Sequence, residues 1–129
     1  MRVARQDYCA FLGRELLALT FIAAAFGKMI HFDATVSMMS VYGIPTPSFL
    51  CALAILIEAS GGLSLALGFY SRWGAAILAA FLIPVTLIFH LTPDQRTSLI
   101  ANMAIMGGLL MILAFGPGAI SFDGEKVLR

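Results

Sequence analysis

From Ala34 to Ile57 the chain runs 24 residues without an Asp, Glu, Lys or Arg, then meets Glu58, then continues for 13 uncharged residues to Ser71. A helix crosses the hydrocarbon of a bilayer with roughly 20 mostly apolar residues. A run this long therefore points to a membrane span with one carboxyl near its middle. An ionisable group at that depth costs at least ~3 kcal/mol, so it must face other helices and find a partner there.

The rest of the chain supports this reading. It is 60% hydrophobic and 12% charged over 129 residues, whereas soluble domains carry about 25% charged residues. A chain of this length cannot enclose that much apolar surface in a water-surrounded core, so lipid must cover part of it. The net charge of +1 gives no electrostatic basis for nucleic-acid binding. Nothing in the chain marks a linker, so residues 1–129 form one domain. Cys9 and Cys51 form no CxxC pair and fall at opposite sides of the membrane in the topology below. They read as two small apolar side chains.

Four spans are predicted, at about residues 8–30, 48–70, 73–91 and 98–116. The first is the least clean, because its uncharged core is bounded by Arg14, Glu15 and Lys28. It spans if Arg14 and Lys28 snorkel toward the headgroups. Arg2, Arg5 and the run Ala23-Ala24-Ala25 also suit a cleaved leader, but the Arg14-Glu15 pair directly before the apolar core is unusual for one. With four spans the two termini and the loop near Arg72 share a side. They hold Arg2, Arg5, Arg14, Arg72, Lys126 and Arg129, six of the eight basic residues, so both termini are expected in the cytoplasm. On the outer side, residues 33–42 are expected to form a short amphipathic helix lying on the bilayer. Pro45 and Pro47 then break it and start the second span.

The fold class is thus all-α, an up-down four-helix membrane bundle. Helices in lipid approach one another through small residues, and Ala23/Gly27, Gly61, Ala75/Ala79, Ala76/Ala80 and Ala104/Gly108 supply such spacings. Gly61 and Gly62 share a helix face with Glu58, which aims the carboxyl at a neighbouring helix. Pro84 frees the carbonyl of Ala80 in the third span. At ~1.5 Å per residue, Glu58 and Pro84 lie at similar depth, and a hydrogen bond from Glu58 to that carbonyl is one expectation.

The polar residues gather in the outer half: Lys28 at the end of span 1, His31 one turn on, His90 at the end of span 3, Asn102 one turn into span 4, and Glu58 as the floor. Glu58 and His90 are the candidate catalytic groups, since a buried carboxyl and a histidine can exchange protons near neutrality. Lys28, His31, Glu58, His90 and Asn102 are the candidate small-molecule ligands. Phe26, Phe32, Phe89 and the methionines would form the walls. Such donors beside apolar walls suit the two oxygens of a quinone. The plainer alternatives are that Lys28, His31 and His90 anchor the interface, that Asn102 is interhelical glue, and that Glu58 pairs with Arg14, Lys28 or Asn102. Two histidines without a thiolate cluster fit no zinc pattern, and no haem or nucleotide signature is present.

The order of short motifs is distinctive: Phe26-Gly27-Lys28, Tyr42-Gly43-Ile44-Pro45, Glu58-Ala59-Ser60-Gly61-Gly62, Gly68-Phe69-Tyr70-Ser71-Arg72, Phe89-His90, the Asn102-to-Gly108 stretch and Gly116-Pro117-Gly118. In this order the chain resembles the DoxX family of small four-helix bacterial and archaeal membrane proteins, over roughly residues 10–123. The resemblance implies an inner (cytoplasmic) membrane location and a link to quinone-coupled oxidases, thiosulfate oxidation, oxidative-stress defence or catechol resistance. The family's polar positions fall on Lys28, Glu58, Arg72, His90 and Asn102.

The leading functional expectation is a quinone-interacting redox component of the membrane, working as a homo-oligomer or beside a redox partner subunit that supplies electrons. Whether the chain is itself catalytic stays open. The alternatives are a non-catalytic scaffold or assembly subunit, and a proton or small-solute carrier. The carrier is disfavoured because the two halves show no inverted repeat.

Overall fold

The computed structural model describes residues 3–124 and is all-helical over them. Five helices follow in order: α1 (Arg5–Ile30), α2 (Phe32–Val41), α3 (Pro47–Leu67), α4 (Ser71–Phe89) and α5 (Arg96–Phe115), the last entered through a 3-10 turn at Pro93–Gln95. Four are long and apolar enough to cross a membrane: α1, α3, α4, and α5 with its leading turn. α1 packs chiefly on α3, α3 on α4 and α4 on α5, while α1 and α5 touch lightly. One end of the bundle carries α2 and the 3-10 turn. The other carries the α3–α4 turn and the exits of the chain.

Helix ends follow local chemistry. Pro47 occupies the first turn of α3, where its missing N–H costs nothing. α3 stops at Leu67 because Gly68 turns left-handed, φ 65°, a conformation glycine takes without a Cβ penalty. A Cβ there would collide with Ser121. The second predicted span thus ends three residues early, and Tyr70 becomes the N-cap of α4 at φ 50°. Pro84 sits inside α4. At the other end, Thr46 stands between two prolines at φ 45° with no side-chain cap bond, a strained position for a β-branched residue.

The core is a column of Ala18, Phe21, Leu65, Ala75, Leu78, Leu82, Leu109 and Ile112. Small residues set the helix spacing, though not all of the expected ones. A Cβ on Gly61 would stand 2.6 Å from Leu78 Cγ, and one on Gly62 would stand 2.8 Å from Ile22 Cγ1. Ala75 and Ala79 are buried, as is Ala25. Ala23, Ala80 and Ala104 instead face outward, and a Cβ on Gly27 would meet nothing within 4 Å. A four-residue spacing of small residues cannot by itself say which face of the helix meets a neighbour.

Two further departures from expectation concern charge and α2. Arg14 does not snorkel. It is 3% exposed, donating from Nη1 to the Pro117 carbonyl at 2.6 Å and from Nη2 to Glu15 at 3.2 Å. α2 packs on α3 and α1, with Met39 buried, so one of its faces meets protein. At the turn end residues 117–124 fold back as a clasp. The N–H groups of Phe122 and Asp123 donate to the Leu67 and Gly68 carbonyls at 3.2 and 2.9 Å. Asp123 Oδ2 accepts from the Ser71 N–H at 3.1 Å and from its hydroxyl at 3.3 Å. Asp123 therefore caps α4 from 52 residues away in the chain, since Tyr70 itself supplies no side-chain cap.

Candidate functional site

Glu58 lies on the α3 face that carries Ala54, Gly61, Gly62 and Leu65, all buried, so helix geometry turns its carboxylate into the bundle. The side chain is 5% exposed, and its two oxygens accept from Lys28 Nζ at 2.8 and 3.1 Å. Lys28 reaches it from the last turn of α1 with its own side chain 29% exposed. Glu58 is thus joined to Lys28 and not to the Ala80 carbonyl. The buried charge is neutralised by a partner that stays partly open to its surroundings.

This ion pair forms part of the wall of a cavity of about 450 Å³ between α1, α2, α3 and α4 at the α2 end, within the usual size range of small-molecule sites. Among the described residues, Lys28 and Glu58 are its only charged lining residues. α2 and the segment after it contribute Thr35, Met38, Met39, Tyr42 and Ile44, while α4 contributes Phe81, Pro84, Val85, Ile88 and Phe89. Pro84 contributes an apolar ring to that wall. The Tyr42 and Phe89 rings meet edge-on, centroids 4.8 Å apart, which ties the end of α2 to the end of α4 across the cavity.

His90 and Gln95 also line the cavity. His90 ends α4, its N–H donating to the Thr86 carbonyl. Its Nδ1 lies 3.2 Å from Gln95 Oε1; a neutral ring that donates from Nδ1 to that oxygen keeps Nε2 as an acceptor. The cavity therefore offers an ammonium and a carboxylate on one side, and an imidazole, an amide and the Tyr42 phenol as further polar groups. Its remaining lining is largely apolar. A flat lipophilic ring bearing oxygens suits such a lining.

Of the five candidate ligands, Lys28, Glu58 and His90 come together here. His31 and Asn102 lie outside the lining. Asn102 donates to Thr86 Oγ1 at 3.0 Å, and Thr86 donates to the Leu82 carbonyl at 2.7 Å, which ties α5 to α4. The His31 carbonyl accepts from Thr35, and its ring is exposed. Sequence reasoning passed over Thr35, Gln95 and the wall residues Phe81 and Tyr42. Tyr42 stood in the quoted Tyr-Gly-Ile-Pro motif, but nothing in the spacing marks Gln95.

The fold and this cavity define a small multi-pass membrane bundle with one apolar, ion-paired chamber among four of its helices. The chain belongs to the DoxX family, whose pattern it matches over residues 9–91. It is 32% identical to inner membrane protein YqjF of Escherichia coli (strain K12) over 121 residues, covering 92% of each chain. It is 30% identical to inner membrane protein YphA of the same organism over 128 residues, covering 93% of this chain and 91% of that one. No solved structure matches. Four membrane-spanning helices and two full-length inner-membrane relatives make this a multi-pass inner-membrane protein.

Proposed function

We propose that the chain is a quinone- or quinol-interacting component of the inner membrane, with the ring seated in the α2-end cavity and both termini in the cytoplasm. One observation carries this reading: an apolar chamber of about 450 Å³ whose only charged groups are the joined Lys28 and Glu58, with His90 also in its lining. In this reading Lys28 donates to a ring oxygen, Glu58 accepts from the reduced form, and His90 Nε2 accepts at another edge of the cavity. Phe81, Phe89 and the α2 methionines hold the ring faces. The residues present fit a quinone for that reason, because both oxidised and reduced ring oxygens find a matching group. Electrons come from a redox partner or a soluble donor, and the bilayer supplies the lipophilic ligand. The orientation rests on the basic residues of the termini and the α3–α4 turn.

The test is binding of ubiquinone and menaquinone analogues to the protein in lipid nanodiscs. Saturable binding that weakens in Glu58→Gln and His90→Ala is expected. Absence of saturable binding in native-like lipid refutes the reading, and a co-purifying protein whose association survives Glu58→Gln favours a scaffold instead.

A further inference from the structure

The loosest seam of the bundle, between α1 and α5, opens into a second cavity of about 350 Å³ at the turn end. Cys9, Gly13, Leu17, Gly108, Met111 and Phe115 line it, and Arg14, Gly116 and Pro117 close it. Glycine makes this gap on the α1 side, since a Cβ on Gly13 would meet nothing within 4 Å. Its volume of about 350 Å³ is small beside a helix ~10–12 Å across with its side chains and is of the order a stretch of hydrocarbon chain would fill.

Two arginines converge on its closed end. Arg14 is 3% exposed, and among the described residues its Nε–H has no hydrogen-bond partner, an expensive omission for a buried charged donor. Arg72 lies against the same turn: a Cβ on Gly116 would stand 3.3 Å from Arg72 Nε and 3.4 Å from Nη2. Arg72 is exposed and takes part in none of the hydrogen bonds or ion pairs among the described residues. Among the described residues no acid is paired with Arg72. Asp123 is engaged by Ser71, and Glu15 meets only Arg14. Guanidinium groups bind phosphate oxygens strongly through paired N–H donors.

We propose that this crevice is a binding site for an anionic phospholipid, one acyl chain lying in the α1–α5 seam and the phosphate seated over Gly116 between Arg72 and Arg14. The site lies at the opposite end of the bundle from the Lys28–Glu58 chamber and stands whether or not that chamber takes a quinone. Its lipid fills the gap where the ring of helices closes poorly, and so completes the bundle.

The test is native mass spectrometry of the protein released from nanodiscs of phosphatidylglycerol and phosphatidylcholine in equal amounts. The wild type should retain one phosphatidylglycerol about tenfold or more over phosphatidylcholine, since each basic residue near an anionic lipid contributes roughly 1 kcal/mol. Arg72→Gln should lose most of that preference. Gly13→Leu, which fills open space and meets no neighbour at its Cβ, should lose retention of either lipid. Equal retention of both lipids by the wild type overturns the proposal, as does undiminished phosphatidylglycerol on Gly13→Leu. A lipid-free dimer that Gly13→Leu converts to monomer also overturns it, assigning the crevice to a second copy.

Discussion

The Lys28–Glu58 pair predicts an asymmetry in the cost of breaking it from either side. Removing Lys28 leaves a carboxylate whose side chain is 5% exposed, with no other partner among the described residues. Breaking a fully buried pair costs ~3–5 kcal/mol, and the 29% exposure of Lys28 places this case at the low end, about 3 kcal/mol for Lys28→Met. Removing the charge of Glu58 is cheaper. Lys28 lies in the last turn of α1 and can extend its ammonium toward the headgroups, while Gln at 58 still accepts a hydrogen bond. Glu58→Gln should therefore cost about 1 kcal/mol. The difference of ~2 kcal/mol is a roughly 30-fold gap in unfolding equilibrium constants. Lys28→Met combined with Glu58→Leu should return to within about 1 kcal/mol of wild type, because a buried pair replaced by apolar side chains is often neutral or better. Reversible unfolding of all four proteins in mixed micelles, titrated with sodium dodecyl sulfate, measures each value. Equal losses for the two single variants, or a double variant as damaged as Lys28→Met alone, would refute the reasoning.

Other perturbations separate the remaining features. Gly61→Ala drives a methyl into the fully buried Leu78 and should cost ~1–3 kcal/mol, whereas Gly107→Ala, with open space around its Cβ, should gain up to about 1 kcal/mol from helix propensity; the same titration reads both. Asp123→Ala strips the remote cap from α4 and should cost about 1 kcal/mol, with faster amide exchange confined to the first turn of α4. Thr46→Gly relieves a left-handed β-branched residue that makes no cap bond and should stabilise by roughly 1 kcal/mol, the strain released exceeding the added chain entropy. A loss of stability at Thr46→Gly would show that the hydroxyl or methyl is needed in place.

The helices were legible because apolar length in a bilayer leaves few alternatives. The partner of Glu58 was legible only as a choice among Arg14, Lys28 and Asn102, since depth along a helix does not fix the angle around the bundle. Arg14 illustrates the limit. A basic residue near a span end ordinarily reaches for headgroups, yet here the Pro117 carbonyl accepts a hydrogen bond from its Nη1 at 2.6 Å. That contact exists only because residues 117–124 fold back, and no local pattern near Arg14 announces it. Asn102 matched the depth of His90 but faced Thr86 across the α4–α5 seam. Gln95 entered the cavity through the 3-10 turn at Pro93–Gln95, whose geometry a span prediction treats as a mere connector.

The clasp at residues 117–124 has a consequence for biogenesis. Synthesis proceeds from the amino end, so α4 is made and inserted long before Asp123 exists to satisfy the Ser71 N–H. Arg14 likewise waits through the translation of 102 residues, 15 to 116, before the carbonyl it donates to is made. Until then Arg14 has Glu15 beside it on α1 but lacks the Pro117 carbonyl. Residues 117–124, made after α5, fasten α1 and the α3–α4 hairpin together, and a nascent chain stalled before them remains unlatched.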